Sequence, residues 1–135
     1  MLVSSGRKED EIERLIMYYP ALCIPDDSRR GCVIGTKIDP NNVPDSFHGV
    51  FVKLGKKYVE DARTLDPYEQ ICTFKKPVLI IHGIEDKLVK IEYSRKANER
   101  YENCELIEVH GDHGFILKGF IAGKKATEKY LSDLN

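Results

Sequence analysis

Two loops of the sequence carry side chains that can exchange a proton. The segment GIEDKLV (83–89) follows the apolar run VLII (78–81) and contains Asp86, while GDHG (111–114) follows LIEV (106–109) and contains His113. An aspartate that accepts a hydrogen bond from a histidine fixes the imidazole tautomer and stabilises the imidazolium formed when the ring takes up a proton. The two loops therefore predict the acid, Asp86, and the base, His113, of a nucleophilic triad.

The position of these loops after buried strands supports this interpretation. Functional side chains of parallel sheets collect in the loops at the carboxyl ends of strands. Subtracting position 86 from position 113 gives 27 residues, which is room for one crossover helix and one strand. Adjacent parallel strands would thus bring Asp86 and His113 to the same sheet edge, and the glycines beside His113 let its loop turn tightly.

The remaining elements alternate between strand and helix. LIMYYP (15–20) is a short apolar run typical of a strand buried on both faces, IEYSRKANERY (91–101) is an amphipathic helix, and residues 122–134 form a closing helix. Asp66 and Pro67 are a good N-cap and first residue for a further short helix. The order predicts an α/β fold of about three parallel strands with flanking helices.

A long irregular insertion interrupts this alternation at about residues 22–65. Turn-forming residues crowd its first half, and the pattern indicates an irregular segment with one hairpin or short helix before regularity returns at residues 55–63. Segments of this length inside a compact domain are usually lids or binding segments. If the insertion is the lid of an intact enzyme, Phe47, Phe51 and Tyr58 are its candidates for lining a substrate pocket, and ordinary packing of the insertion onto the sheet is the alternative for each of them.

Composition and charge argue against several classes of function. The chain has 135 residues, enough for one domain, and a formal net charge of −1, without the basic stripe of a nucleic-acid binder. No apolar run approaches the length of a membrane span, and the start of the chain is charged too early for a signal peptide, so we expect a cytoplasmic protein that binds neither nucleic acid nor membrane. Four scattered cysteines predict neither a metal site nor a disulfide, and no cofactor is implied.

Simpler roles for the two site residues remain open at this point. Asp86 alone would serve as a helix cap and His113 alone as an ordinary loop residue. The grouping of His110, Asp112 and His113 also resembles part of a metal site, although no further ligand set is evident. The occurrence of both loops in this order favours the triad.

The sequence resembles the α/β-hydrolase superfamily. PVLIIHGIEDKLV (77–89) is similar to the strand and loop that carry the family's triad aspartate, and CELIEVHGDHGF (104–115) to those that carry its histidine. The stretch from YYPALCIPDD to DPYEQI (18–71) looks like the small lid of cinnamoyl or feruloyl esterases. The resemblance implies a serine carboxylesterase acting on a small ester and covers residues 11–134.

The family's nucleophile motif is absent from these 135 residues. No G-x-S-x-G occurs, and Ser4-Ser5-Gly6 lacks the first glycine and the preceding strand. We therefore expect residues 1–135 to be a C-terminal hydrolase portion, inactive alone, that an N-terminal half would complete. The apolar strand at 15–19 would then be an open edge that favours a homodimer or higher oligomer.

The alternative is a non-catalytic interaction module derived from a hydrolase. A small α/β domain of the flavodoxin type is disfavoured, because it would need a phosphate-binding loop after the first strand, and Tyr19-Pro20-Ala21-Leu22 is not one.

Overall fold

The computed structural model describes residues 12–49, 52–114 and 118–132. The chain divides into two compact units, which we call the sheet unit (Met1–Pro20 with Tyr68–Asn135) and the insert unit (Ala21–Pro67). The elements, in chain order, are β1 (Leu15–Tyr18), α1 (Ile24–Arg30), β2 (Cys32–Val33), β3 (Thr36–Lys37), β4 (Ser46–His48), β5 (Lys53–Gly55), α2 (Lys56–Arg63), α3 (Pro67–Ile71), β6 (Val78–Gly83), α4 (Ile91–Arg100), β7 (Cys104–Val109) and α5 (Lys118–Ser132).

A parallel sheet of order β1-β6-β7 forms the centre of the sheet unit, which confirms the predicted α/β class. All six residues of β6 are buried, as an unalternating apolar run predicts for a central strand. The residues of β1 are only half-buried or exposed, which differs from the predicted burial on both faces. The reason is that, within the described residues, β1 has a strand neighbour only on its β6 side.

Helices cover both faces of this sheet. Leu79, Ile81 and Val109 form a buried cluster, and Ala122 and Ala126 of α5 pack against it. Successive side chains of a strand point to opposite faces, so His82 points away from this cluster, and its ring contacts Ser94 of α4. The sheet therefore lies between α5 and α4, with the ends of β6 and β7 at one edge.

The insert unit contains more regular structure than the sequence pattern indicates. It has two hairpins, β2-β3 and β4-β5, and two helices, α1 and α2. The strands have two or three residues each, too short for their alternation to be recognised in the sequence. Val33, Val43, Phe47 and Val59 form its core.

An arginine fastens the end of the insert unit to its first helix. Arg29 of α1 donates to the carbonyl oxygens of Arg63 and Leu65 at 3.0 and 2.6 Å, and its guanidinium also pairs with Asp26 at 2.8 Å. No helix among the described residues is long and apolar enough to cross a membrane.

Candidate active site

Two loops meet at the carboxyl ends of β6 and β7; we call residues 83–89 the acid loop and residues 110–114 the histidine loop. Backbone pairing continues past the strands, since the N–H of Ile84 donates to Val109 O at 2.9 Å and that of Glu85 to Gly111 O at 3.1 Å. At Gly83 the backbones approach so closely that a Cβ atom would lie 2.3 Å from Gly111 O. Only glycine fits there, and the two loops are held side by side.

Asp86 is fixed within the acid loop by its own turn. Its side chain is 0% exposed. Oδ1 accepts hydrogen bonds from the backbone N–H groups of Leu88 and Val89, each at 2.9 Å. Such local bonds from an aspartate to the backbone two and three residues ahead are typical of this residue in turns. They leave Oδ2 to point at the neighbouring loop.

The imidazole of His113 forms a hydrogen bond with this second oxygen, Oδ2. Its Nδ1 lies 2.8 Å from Asp86 Oδ2. Because a carboxylate oxygen accepts, Nδ1 carries the proton and donates, which places the lone pair of the neutral ring on Nε2. The His113 side chain is 31% exposed, and among the described residues Nε2 makes no hydrogen bond. The geometry therefore presents Nε2 as a base with its tautomer already set.

A second histidine lies behind the aspartate, entirely buried. His82 Nε2 is 2.9 Å from Val89 O and 3.2 Å from Asp86 Oδ2, both of them acceptors, so this nitrogen carries a proton. His82 Nδ1 is 2.6 Å from Ser94 Oγ and, in the neutral ring, accepts from that hydroxyl. The chain Ser94–His82–Asp86–His113 thus links α4 to the exposed imidazole through hydrogen-bonding groups.

The histidine loop is also held by Glu85. One carboxylate oxygen accepts from His110 Nδ1 at 2.9 Å, and the other from the N–H of Gly111 at 2.6 Å. The His110 hydrogen bond, followed by that of Gly111, holds the pKa of the Glu85 carboxyl below its ordinary value. Glu85 therefore binds the first two residues of the histidine loop to the acid loop.

The structure places the residues predicted from sequence as follows. Asp86 and His113 are in direct contact. Phe47 lies in the core of the insert unit, and Tyr58 packs partly buried against that core. Burial, and to a smaller extent the charge of Cys23, raises the pKa of the Tyr58 hydroxyl. The remaining predicted residues, Phe51, Ser4 and Ser5, lie outside the described part of the chain. No group of three or more metal-binding side chains occurs within the described part of the chain.

Three supporting residues were not recognised from the sequence: His82, Ser94 and Glu85. A signal for one of them existed, because His82 is the polar residue in a strand that is otherwise apolar or glycine, and a buried imidazole needs hydrogen-bond partners. Nothing in the local sequence marks Ser94 or Glu85, which look like ordinary polar residues of a helix and a loop.

Comparisons with solved structures identify the fold. Est1E from Butyrivibrio proteoclasticus matches with a TM-score of 0.87 and 30% identity over 98% of this chain and 56% of Est1E, and a second Est1E structure holds ferulic acid. Two further structures share the fold. Alpha/beta hydrolase domain-containing protein 10 from mouse matches with a TM-score of 0.70 and 13% identity over 100% of this chain and 58% of its own. The monoacylglycerol lipase of Paleococcus ferrophilus matches with a TM-score of 0.61 and 17% identity over 97% of this chain and 63% of its own. No protein-family model matches, and no curated protein does.

The chain has the fold of the α/β-hydrolase superfamily, as its sequence predicted, and it corresponds to a C-terminal portion of that fold. It spans about half the length of the solved relatives it matches. Est1E, which shares 30% identity with this chain, is the esterase whose N-terminal part serves in the chimera proposed for this chain.

Proposed function

We propose that the chain is the C-terminal portion of a serine carboxylesterase that carries the triad acid, Asp86, and the triad base, His113. The hydrogen bond from His113 Nδ1 to the buried Asp86 carboxylate, which leaves Nε2 of a partly exposed ring as the basic nitrogen, is the observation that carries the proposal. A small ester is the proposed substrate, and the cytoplasm is the proposed location on the sequence grounds given above.

In the completed enzyme, His113 Nε2 takes the proton of a serine hydroxyl as its oxygen attacks the ester carbonyl carbon. Asp86 stabilises the imidazolium that forms and holds it in orientation. The proton then passes from Nε2 to the leaving alkoxide, and the acyl group stays on the serine. Water attacks this acyl ester in the second half of the reaction, with Nε2 again accepting and returning the proton.

The serine and the oxyanion donors are proposed to come from an N-terminal portion, because these 135 residues contain no G-x-S-x-G. Loss of the serine from such a triad lowers turnover by about 10⁶-fold. We therefore propose that the chain alone is inactive.

The first experiment treats the 135-residue chain with a fluorophosphonate and reads its intact mass. We expect no adduct, because no serine is activated. An adduct that disappears in His113→Ala would mean that a serine within this chain acts as the nucleophile, and the proposed need for another portion would be wrong.

The second experiment supplies the proposed missing portion. The chain is fused behind the N-terminal part of Est1E that it does not cover, and the folded chimera is tested on methyl ferulate and p-nitrophenyl acetate. Hydrolysis that falls at least 10³-fold in His113→Ala supports the proposal. A folded chimera that binds the fluorophosphonate equally well with and without His113 would overturn it.

The same chimera tests the proposed role of the insert unit as a substrate-binding lid. The proposal is that Phe47, Phe51 and Tyr58 bind the acyl part of the ester. Tyr58→Ala is then expected to raise KM for methyl ferulate more than for p-nitrophenyl acetate, whose acyl group is small. Equal effects on both esters would leave Tyr58 a packing residue of the insert unit.

The alternative function is a dimerising module that uses the edge of β1. Leu15 and Tyr19 donate their N–H groups to the β6 side, so by the alternation of a strand Ile16 directs its N–H to the other edge. Among the described residues no strand pairs with this edge, and open edges of this kind are templates for pairing with a second chain.

Sedimentation distinguishes this alternative. A homodimer that is lost in Ile16→Pro, which removes the outward N–H, and kept in Ile16→Ala, which loses the same packing, would support it. A monomer at tens of micromolar would exclude this use of the edge.

A further inference from the structure

We propose that Tyr19 is a positioning residue for His113. In this proposal its ring holds the imidazole in the orientation that keeps Nδ1 on Asp86 and Nε2 outward. The inference rests on the proposed function in that His113 is taken as the base, but its test uses the isolated chain and does not need esterase activity.

The two rings are in direct contact. Their centroids lie 4.5 Å apart, with an angle of 56° between the planes. Aromatic pairs prefer such tilted arrangements at centroid distances of about 4.5–7 Å, so this pair is at the near end of the range. The hydrogen bond to Asp86 restrains one edge of the imidazole, and Tyr19 restrains the ring from another side. Together they oppose rotation of the imidazole about its bond to Cβ.

The backbone of Tyr19 is strained. Its φ is +36°, in the left-handed region that favours glycine. The Tyr19 N–H nevertheless donates to Ile81 O at 2.9 Å, so the residue continues the pairing of β1 with β6. A strained residue persists where its surroundings require it, and such residues concentrate at functional sites.

A purely structural reason for Tyr19 also exists. Its side chain packs, half-buried, against the cluster of Leu79, Ile81 and Val109. That packing requires apolar volume, which an aliphatic side chain also supplies. The contacts with the rings of His113 and Tyr18 require an aromatic side chain.

The test records long-range ¹H–¹⁵N spectra of the ¹⁵N-histidine-labelled chain, which report the tautomer of His113. In Tyr19→Phe, which keeps the ring, the Nδ1–H tautomer is expected to dominate as in the unchanged chain. In Tyr19→Leu, which keeps the apolar volume, we expect the Nδ1–H population to decrease, because the ring is free to turn away from Asp86. Tyr18→Leu is the control: the Tyr18 ring centroid is 6.4 Å from that of Tyr19, and its loss should leave the tautomer of His113 unchanged.

Tyr19→Gly keeps the test decisive if the leucine variant does not fold. Glycine adopts the positive φ without strain, so this variant removes the ring while it relaxes the backbone. An unchanged tautomer of His113 in either folded variant would overturn the proposal and leave Tyr19 a packing residue. Failure of the proposed esterase would appear separately, as a chimera whose labelling ignores His113.

Discussion

The acid loop and the histidine loop lie side by side but are held in different ways. The Asp86 side chain has no exposed surface and is bound by N–H groups of its own turn. The His113 side chain is about one third exposed and is held by groups from elsewhere, namely Asp86 and the ring of Tyr19. Within the sheet unit, the first residue is therefore oriented by its own loop and the second by its neighbours.

This difference follows from what each residue has to do. A carboxylate keeps one orientation when water is excluded and every oxygen has a donor. A base must stay open to the group whose proton it takes, so it cannot be buried in the same way. Its orientation then depends on contacts made by other elements, which makes the histidine loop the more easily disturbed of the two.

The largest effect is expected where the two loops touch. Gly83→Ala would place a Cβ atom 2.3 Å from Gly111 O and force the loops apart. We expect a loss of about 3 kcal/mol in the free energy of unfolding, because neither backbone can move without losing ladder hydrogen bonds. Urea unfolding measures it. Gly55→Ala is the control, since there the added Cβ meets only Asp45 O at 3.7 Å. Equal stability of the two variants would contradict the close approach.

The second-largest loss of stability is expected from removal of the Asp86 side chain. Asp86→Ala leaves the N–H groups of Leu88 and Val89 without their acceptor, and we expect it to cost about 2 kcal/mol in urea unfolding. Asp86→Asn keeps Oδ1 as an acceptor but places an amide N–H₂ opposite the Nδ1 of His113. We expect it to be the milder variant in stability and to shift His113 toward the Nε2–H tautomer in ¹⁵N spectra. An unchanged tautomer would mean that Asp86 does not orient the ring.

A smaller effect is expected from the buried support behind the acid. Ser94→Ala leaves Nδ1 of the buried His82 without its partner, which we expect to cost about 1 kcal/mol. Ser132→Ala is the matched control, because the Ser132 hydroxyl donates to Lys129 O at the surface of α5. Thermal unfolding of both variants measures the difference. A Ser94 variant as stable as the Ser132 variant would contradict the buried link to α4.

The smallest effect concerns Glu85, at the exposed side of the site. Hydrogen bonds from His110 and Gly111 lower its pKa in the folded chain. The charged form therefore stabilises the fold above the pKa of the unfolded chain, about 4.3, and this contribution disappears as the pH falls through the lower, folded pKa. Glu85→Gln is thus expected to lower the urea midpoint slightly at pH 6 and not at pH 2.5. A difference that is the same at both pH values would contradict the linkage.

Much of the fold follows from sequence because the central strand is so uniform. Residues 78–81 are apolar and unbroken, which identifies a buried parallel strand, and the loops that follow β6 and β7 are then placed at one edge by topology alone. The supporting contacts do not follow in this way. Ser94 lies 12 residues from His82, and His110 lies 25 residues from Glu85. Only the packing of α4 and the register of β6 with β7 decide that these side chains meet.

In the insert unit, by contrast, few of the elements could be predicted from the sequence. Its strands of two or three residues carry no detectable period, and each forms because its hairpin partner and the buried Val33, Phe47 and Val59 stabilise it. Tertiary contacts rather than local preference determine such elements, so their positions could not be predicted from the sequence.

The ladder between β6 and β7 has a consequence for how this chain tolerates change. Val78 to Gly83 pair one to one with Cys104 to Val109. The position of Asp86 is therefore set by the number of residues that separate it from the end of β6, and that of His113 by the number that separate it from the end of β7. Residues added to or removed from the turn between α4 and β7 (101–103) would leave the site intact as long as the ladder re-forms in the same register and Ser94 of α4 keeps its contact with His82. One residue gained or lost between Gly83 and Asp86, or between Val109 and His113, would change the position of a side chain in the pair. Natural length variation should therefore be tolerated in this turn and be rare in these two short segments.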